Sequence, residues 1–199
     1  MPPSVANVVV AGNGGVWVGA ESLAPPTTAG AAPATGWKEL GYATEDGATI
    51  TSDQAVTGVM AWQALGAIRN LVTDAPLSVK FTCIELTPWV VELAFGGGVV
   101  DGTTSKYTPG DPAVQATKAV LIRGIDGTAV WDWYFPRCQL QASRDINLQR
   151  IQETRVPIEL GVLYATPRFS IATLNVPSWT GAGPLMIETE EAVSSSKAA

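Results

Sequence analysis

The 199-residue sequence contains no histidine. Histidine is the commonest general base near neutral pH and the commonest zinc ligand, so its absence removes both roles at once. Cysteine is nearly missing too: Cys83 and Cys138 stand far apart, each in a strand-like run. Two lone thiols at that spacing make no metal cage, and buried reduced thiols are a simpler reading than a bridge. Charge is scarce, at 15% of the chain against an ordinary share of ~25%. Before Lys38 the only charged side chain is Glu21. A secretory leader needs a basic start and a longer apolar core than VVVA (8–11), and a membrane span needs ~20 apolar residues. Neither is present, so the expectation is a protein without a membrane anchor that stays in the cytoplasm where it is made.

Hydrophobic residues make up 46% of the chain and the net charge is −6. At this length one domain over 1–199 is expected, burying roughly 70% of its unfolded surface without a metal or disulfide. An acidic chain lacks the Lys and Arg whose counterion release holds phosphate, which argues against a DNA-gripping surface. Sparse charge leaves much uncharged surface, either small polar residues or area that a partner covers.

Short strands dominate the pattern. VWVGA (16–20) follows the turn-forming GNGG (12–15), and ESLAPPTTAGAAPATG (21–36) is an extended loop with no apolar period. WKELGY, Asp46-Gly47 and ATIT read as strand, tight turn, strand. GVMAWQALGAIRNLV (58–72) has apolar spacing that fits either period, and its two glycines favour strand over helix. In LSVKFTCIEL (77–86), Leu77, Val79, Phe81 and Cys83 alternate with polar neighbours, the period of a half-buried strand. TPWVVELAFGGG predicts a short helix: Thr87 caps it, Pro88 takes the first position, and the glycines from Gly96 end it. Trp89, Val90, Leu93 and Ala94 would share its packed face. A second extended loop covers 96–117. KAVLIRGI (118–125), a turn at 126–127 and TAVWDWYF (128–135) give the strongest hairpin signal, while Pro136 demands an edge or a bend. VPIELGVLYA (156–165) alternates throughout, and 192–199 reads as a flexible tail. The expected fold class is all-β with one short α-helix, a β-sandwich or barrel.

Nothing here carries catalysis. The glycine runs GNGG and FGGG lack the strand–loop–helix context and the lysine of a phosphate cradle. Carboxylate pairs can work without histidine, but Glu45-Asp46 sits where turns favour acids and Glu85 and Glu92 flank a helix start. Asp132 lies between Trp131 and Trp133, a possible sugar platform, although aromatics in strands are more often core or interface. No enzyme, cofactor or metal is expected. Seven tryptophans are many for one thin sandwich. Tryptophan is enriched at protein contacts, so two or three are expected there.

The order of the pieces GWKELGYATEDGATI, AWQ and SVKFTCIELTPWVVELAFGGG resembles the major tail tube proteins of long, non-contractile-tailed bacteriophages. YFPRCQLQASRDINLQRIQETRVPIELGVLYA is similar to the family's C-terminal half, and the likeness spans about 36–165. The resemblance implies a single tail-tube domain, in hexameric rings that stack into a hollow tube conducting DNA from capsid to host. Neighbouring sheets would join into a continuous inner barrel, satisfying strand edges that a monomer leaves open. Partners would be other copies, a tape-measure protein and tail-tip or terminator proteins, in a virion tail assembled in the host cytoplasm. DNA would pass through without specific binding, and an acidic lining would let it slide. Trp37, Tyr42, Trp62, Trp131 and Trp133 become subunit-interface candidates, with Glu45 and Asp46 exposed at the lumen or the ring seam. The loops 21–36 and 96–117 become candidates for reaching a neighbour. Two other readings compete: a secreted carbohydrate-binding module using Trp131 and Trp133, and a tube subunit of a secretion or injection apparatus.

Overall fold

The computed structural model describes residues 10–176 except 64, 102, 105, 112–113, 142–145 and 147–152. Trp179, the C-terminal acids and the expected tail lie outside the described residues. In chain order the elements are β1 (Asn13–Ala20), β2 (Lys38–Glu39), β3 (Ala43–Ser52), β4 (Ala55–Met60), β5 (Ala67–Asp74) and β6 (Leu77–Cys83). Then come α1 (Pro88–Ala94), β7 (Gly98–Asp101), β8 (Lys106–Pro109), β9 (Lys118–Asp126), β10 (Ala129–Leu140), β11 (Val156–Val162) and β12 (Ser170–Leu174). The fold is all-β with one short helix.

One antiparallel sheet forms the body, in the order β2-β1-β9-β10-β11-β6-β3, with β12 also on β10. Its two edge strands, β2 and β3, are joined only by Leu40–Tyr42, a reach of at most ~14 Å. The sheet must therefore roll until its ends nearly meet. It does not close, which corrects the barrel alternative: β2 is two residues long, and Leu40 leaves it to enter the core, its N–H donating to Val16 O at 3.0 Å. Period-two alternation aims Val16 and Val18, Val79 and Phe81, Val120 and Ile122, Phe135, and Ile158 and Leu160 into the roll. Burial of each is worth about 1.5–3 kcal/mol, so this core dominates stability. α1 adds Val90, Leu93 and Ala94 from the side, with Thr87 Oγ1 accepting from Val90 N as its cap. Trp89, expected on the packed face, instead turns outward with the Lys38 ammonium 4.9 Å from its ring centre.

The opposite face of β1, β9 and β10 is covered as well. Trp37, Ala119, Leu121 and Tyr134 form a second buried cluster, with Trp17 and Leu23 against it. The loop 21–36 is the cover: Ser22 N donates to Pro136 O, and Trp37 Nε1 donates to Ala24 O at 3.0 Å. The loop thus packs partly on its own sheet, while most of its residues stay exposed or half-buried.

Several local expectations change for steric reasons. Asp46-Gly47 is no hairpin turn, because β2 pairs with β1 and β3 with β6. It sits in a bulge where Ala43 faces Cys83 and Ala48 faces Phe81, and Gly47 supplies the positive φ of 67°. Asn13–Gly15 are strand rather than turn. A Cβ on Gly14 would lie 2.4 Å from Arg123 O, so glycine there permits close approach of two backbones. The 96–117 loop contains the β7–β8 hairpin. The β9–β10 turn falls on Gly127-Thr128, one residue later than expected. Pro136 bends β10 at a register shift between Phe135 and Cys138, letting one strand pair with β12 and then β11. Both cysteines are free and buried, and burial pushes each thiol up to about 12.

Candidate assembly surface

β4 and β5 pair with each other and, among the described residues, with no other strand. They prolong β3 and β6: Asp53-Gln54 links β3 to β4, and Ala75-Pro76 links β5 to β6. The result is an arm projecting about 25 Å past the body, at ~3.3 Å per residue. Every residue of both strands is exposed. Val56, Val59, Met60, Ile68, Leu71 and Val72 are all exposed apolar side chains, and Trp62 at the tip is 99% exposed. A lone two-stranded hairpin is marginal in water, and an exposed apolar patch of this extent marks an interaction site. Arg168 fixes the arm's base to the body, donating from Nη1 to Ala75 O and from Nη2 to Val162 O at 3.1 Å.

The remaining candidates are placed as follows. Tyr42 is 77% exposed, and its N–H donates to Glu85 Oε2 at 3.2 Å. It lines a cleft of about 1190 Å³ between β1 and β3, together with Glu39, Glu45, Glu85 and Trp133. Glu45 and Asp46 are exposed on the bulge of β3, whose outer edge carries no partner strand in the described residues. Charges at an open edge discourage indiscriminate pairing. Trp37 is 8% exposed, its area already covered by Tyr134 (ring centres 6.2 Å apart, planes at 75°) and the loop. Trp131 and Trp133 share one side of β10 and are half-buried, Trp133 stacked on Phe169 at 6.3 Å. Asp132, between them, points to the other side. Tyr42, Glu45 and Trp133 thus meet at the cleft, Trp62 stands alone on the arm, and Trp37 belongs to the outer-face cluster.

The sequence left unmarked a buried ion pair. Arg123 Nε and Nη2 donate to Asp132 Oδ1 and Oδ2 at 2.6 and 2.7 Å. Nη2 also reaches Ala31 O at 2.8 Å, and Gly30 N donates to Asp132 Oδ2 at 3.1 Å. With Arg123 also 5.1 Å from the Trp17 ring centre, the pair fastens the 21–36 loop to the sheet. The signal available was a single Asp–Arg match across the β9–β10 hairpin, visible once its register is known.

Among the described residues no cluster of three metal-ligating side chains occurs, and no helix is long and apolar enough to cross a membrane. A rolled but unclosed sheet with, among the described residues, an unpartnered apolar arm and open strand edges has the features of a subunit that assembles. The chain belongs to the phage tail tube proteins, matching that family over residues 1–174. It is accordingly a structural component of the virion tail that assembles with itself into a tube. No curated protein matches it.

Proposed function

We propose that six copies form a ring and that rings stack, through the β4–β5 arm, into the hollow tube that conducts DNA to the host. The observation that carries this reading is the arm, whose apolar side chains have no cover among the described residues. A projecting arm that docks on a different surface of the next copy is a heterologous contact, which propagates into an open filament. The sheet's edges, the two-residue β2 and β3, are where neighbouring sheets would join into an inner barrel, with Tyr42 and Glu45 beside that seam. A net charge of −6 suits a lumen that repels phosphate, so the duplex slides rather than sticks. Assembly would occur in the host cytoplasm, around a tape-measure protein and between tip and terminator proteins.

The test replaces 55–74 by a short Gly-Ser turn between Gln54 and Ala75. Circular dichroism should still report a β-rich body, and negative-stain microscopy should show no tubes. Normal tubes from the shortened protein would refute the role of the arm.

A further inference from the structure

The arm is uneven in its chemistry. Its register sets Val56 opposite Val72 and Met60 opposite Ala67 on one face, while the other face pairs Thr57 with Leu71 and Val59 with Arg69. Arg69 is the single charged side chain between Gln54 and Thr73. At the tip, Trp62 and Leu65 are fully exposed. Trp62 offers about 150–250 Å² by itself. With Leu65, Met60, Ile68, Val56 and Val72 the exposed area comes to roughly the 800 Å² that one partner of a standard contact buries. One receptor is therefore enough, provided that it takes two large apolar side chains and a cation.

The cleft between β1 and β3 meets both conditions. Its volume of about 1190 Å³ is large even beside the ~300–1,000 Å³ of pockets that hold small ligands. Ile50, Ile125 and Trp133, all half-buried, and exposed Tyr42 give it apolar walls. Glu39, Glu45 and Glu85 supply three exposed carboxylates. Among the described residues the one cation in the wall is Arg123, which Asp132 already holds. Length agrees as well: Asn13–Trp17 run along the cleft for ~13 Å, and Val59, the partner of Arg69, lies at most ~10 Å from Trp62. The arm does not lie in the cleft of its own chain, because every residue of both its strands is exposed.

Resting on the reading that the arm joins copies of this chain, we infer that its tip seats in the cleft of the next copy. Trp62 and Leu65 fill the apolar part, and Arg69 meets the carboxylates of Glu39, Glu45 and Glu85. Exposed ion pairs add little hold, so the two apolar side chains supply the grip and Arg69 fixes the register. The tip enters through its side chains, which leaves the backbone edges of β2 and β3 to ring neighbours. Knob and socket are different surfaces, so the contact is head-to-tail and passes from copy to copy.

The inference is tested by photo-crosslinking in assembled tubes. Gln63→Cys and Leu65→Cys are each labelled with a maleimide-benzophenone, selectively because Cys83 and Cys138 are buried. Each is mixed as a minor fraction with unlabelled wild type, so tubes form even if the variant by itself cannot assemble. After irradiation, covalent dimers are cut from a denaturing gel and the attachment point is read by tandem mass spectrometry. It should fall within 11–17, 39–50, 85–87 or 122–125 of the second copy. Dimers attached elsewhere on that copy would overturn the cleft as receptor and leave the arm's role in assembly standing. Tubes that contain labelled protein yet give no dimer would overturn both. Arg69→Glu, mixed in the same way, should enter tubes about tenfold less than the parent, since like charges then face each other; equal incorporation would overturn the placement of Arg69.

Discussion

Replacing Asp132 by alanine tests whether the buried ion pair holds the outer loop. Arg123 is 8% exposed and Asp132 3%, so water screens the pair little. Without the carboxylate, Arg123 keeps only Ala31 O and the Trp17 face, and Gly30 N–H loses its acceptor. Breaking a buried pair by removing one partner costs about 3–5 kcal/mol. For a chain of this size that is a Tm fall of roughly 6–20 °C, against a total stability of ~5–15 kcal/mol. The assay is urea unfolding of dilute, unassembled protein followed by tryptophan fluorescence, with limited proteolysis of the loop in parallel. Cleavage within 21–36 should accelerate. The double change Arg123→Met with Asp132→Leu removes both charges and should recover most of the loss, since apolar replacement of a buried pair is often neutral or stabilising. A cost below ~1 kcal/mol for D132A, or no recovery in the double variant, would refute the reasoning.

Three further outcomes are expected. Gly14→Ala should cost about 1–3 kcal/mol, as overpacking does, because the new methyl meets a backbone carbonyl that cannot rotate away; an unchanged urea midpoint would mean that β1 and β9 are not so close. Cys83 and Cys138 should resist iodoacetamide at pH 8 until the protein is unfolded, and mass spectrometry reads the adducts. Because the folded thiols titrate near 12 rather than 9.0, the unfolded chain holds fewer protons between those values. Stability should then fall as pH rises from about 9, at up to ~1.4 kcal/mol per unit for each thiol, and flat stability across that window would contradict their burial. Arg168→Ala should speed hydrogen exchange at Asp53, Gln54 and Ala75 while leaving the β9–β10 hairpin protected, and equal acceleration everywhere would indicate general unfolding instead.

Alternating strands were the most legible elements. Leu77–Cys83, the β9–β10 hairpin and the Thr87-Pro88 helix start follow from local patterns in which one face is wet and one dry. Gly47 was misplaced because a positive φ serves a bulge as well as a turn, and only the register against Phe81 and Cys83 separates them. β12 gave no signal, since its residues are half-buried on both sides. Trp62, named from the sequence as an interface candidate, is exposed at the tip of the arm. Trp37, named alike, is buried by its own chain, and an aromatic looks the same in sequence whichever chain covers it. The spacing of 58–72 fits either period because apolar residues fall on both sides of the arm, Val56 and Val72 on one and Leu71 and Val59 beside Thr57 and Arg69 on the other.

At its root the arm is fastened lightly. Asp53 N donates to Pro76 O at 3.1 Å, and Pro76 has no N–H to return the bond. Two ladders therefore meet at a soft seam that, among the described residues, Arg168 rivets from the side. If the arms join the copies as proposed, strain from bending a filament should collect at these roots, where little is broken, and not in the cores. Tubes carrying Arg168→Ala should show a shorter persistence length by electron microscopy at unchanged diameter, and equal stiffness would place the compliance elsewhere.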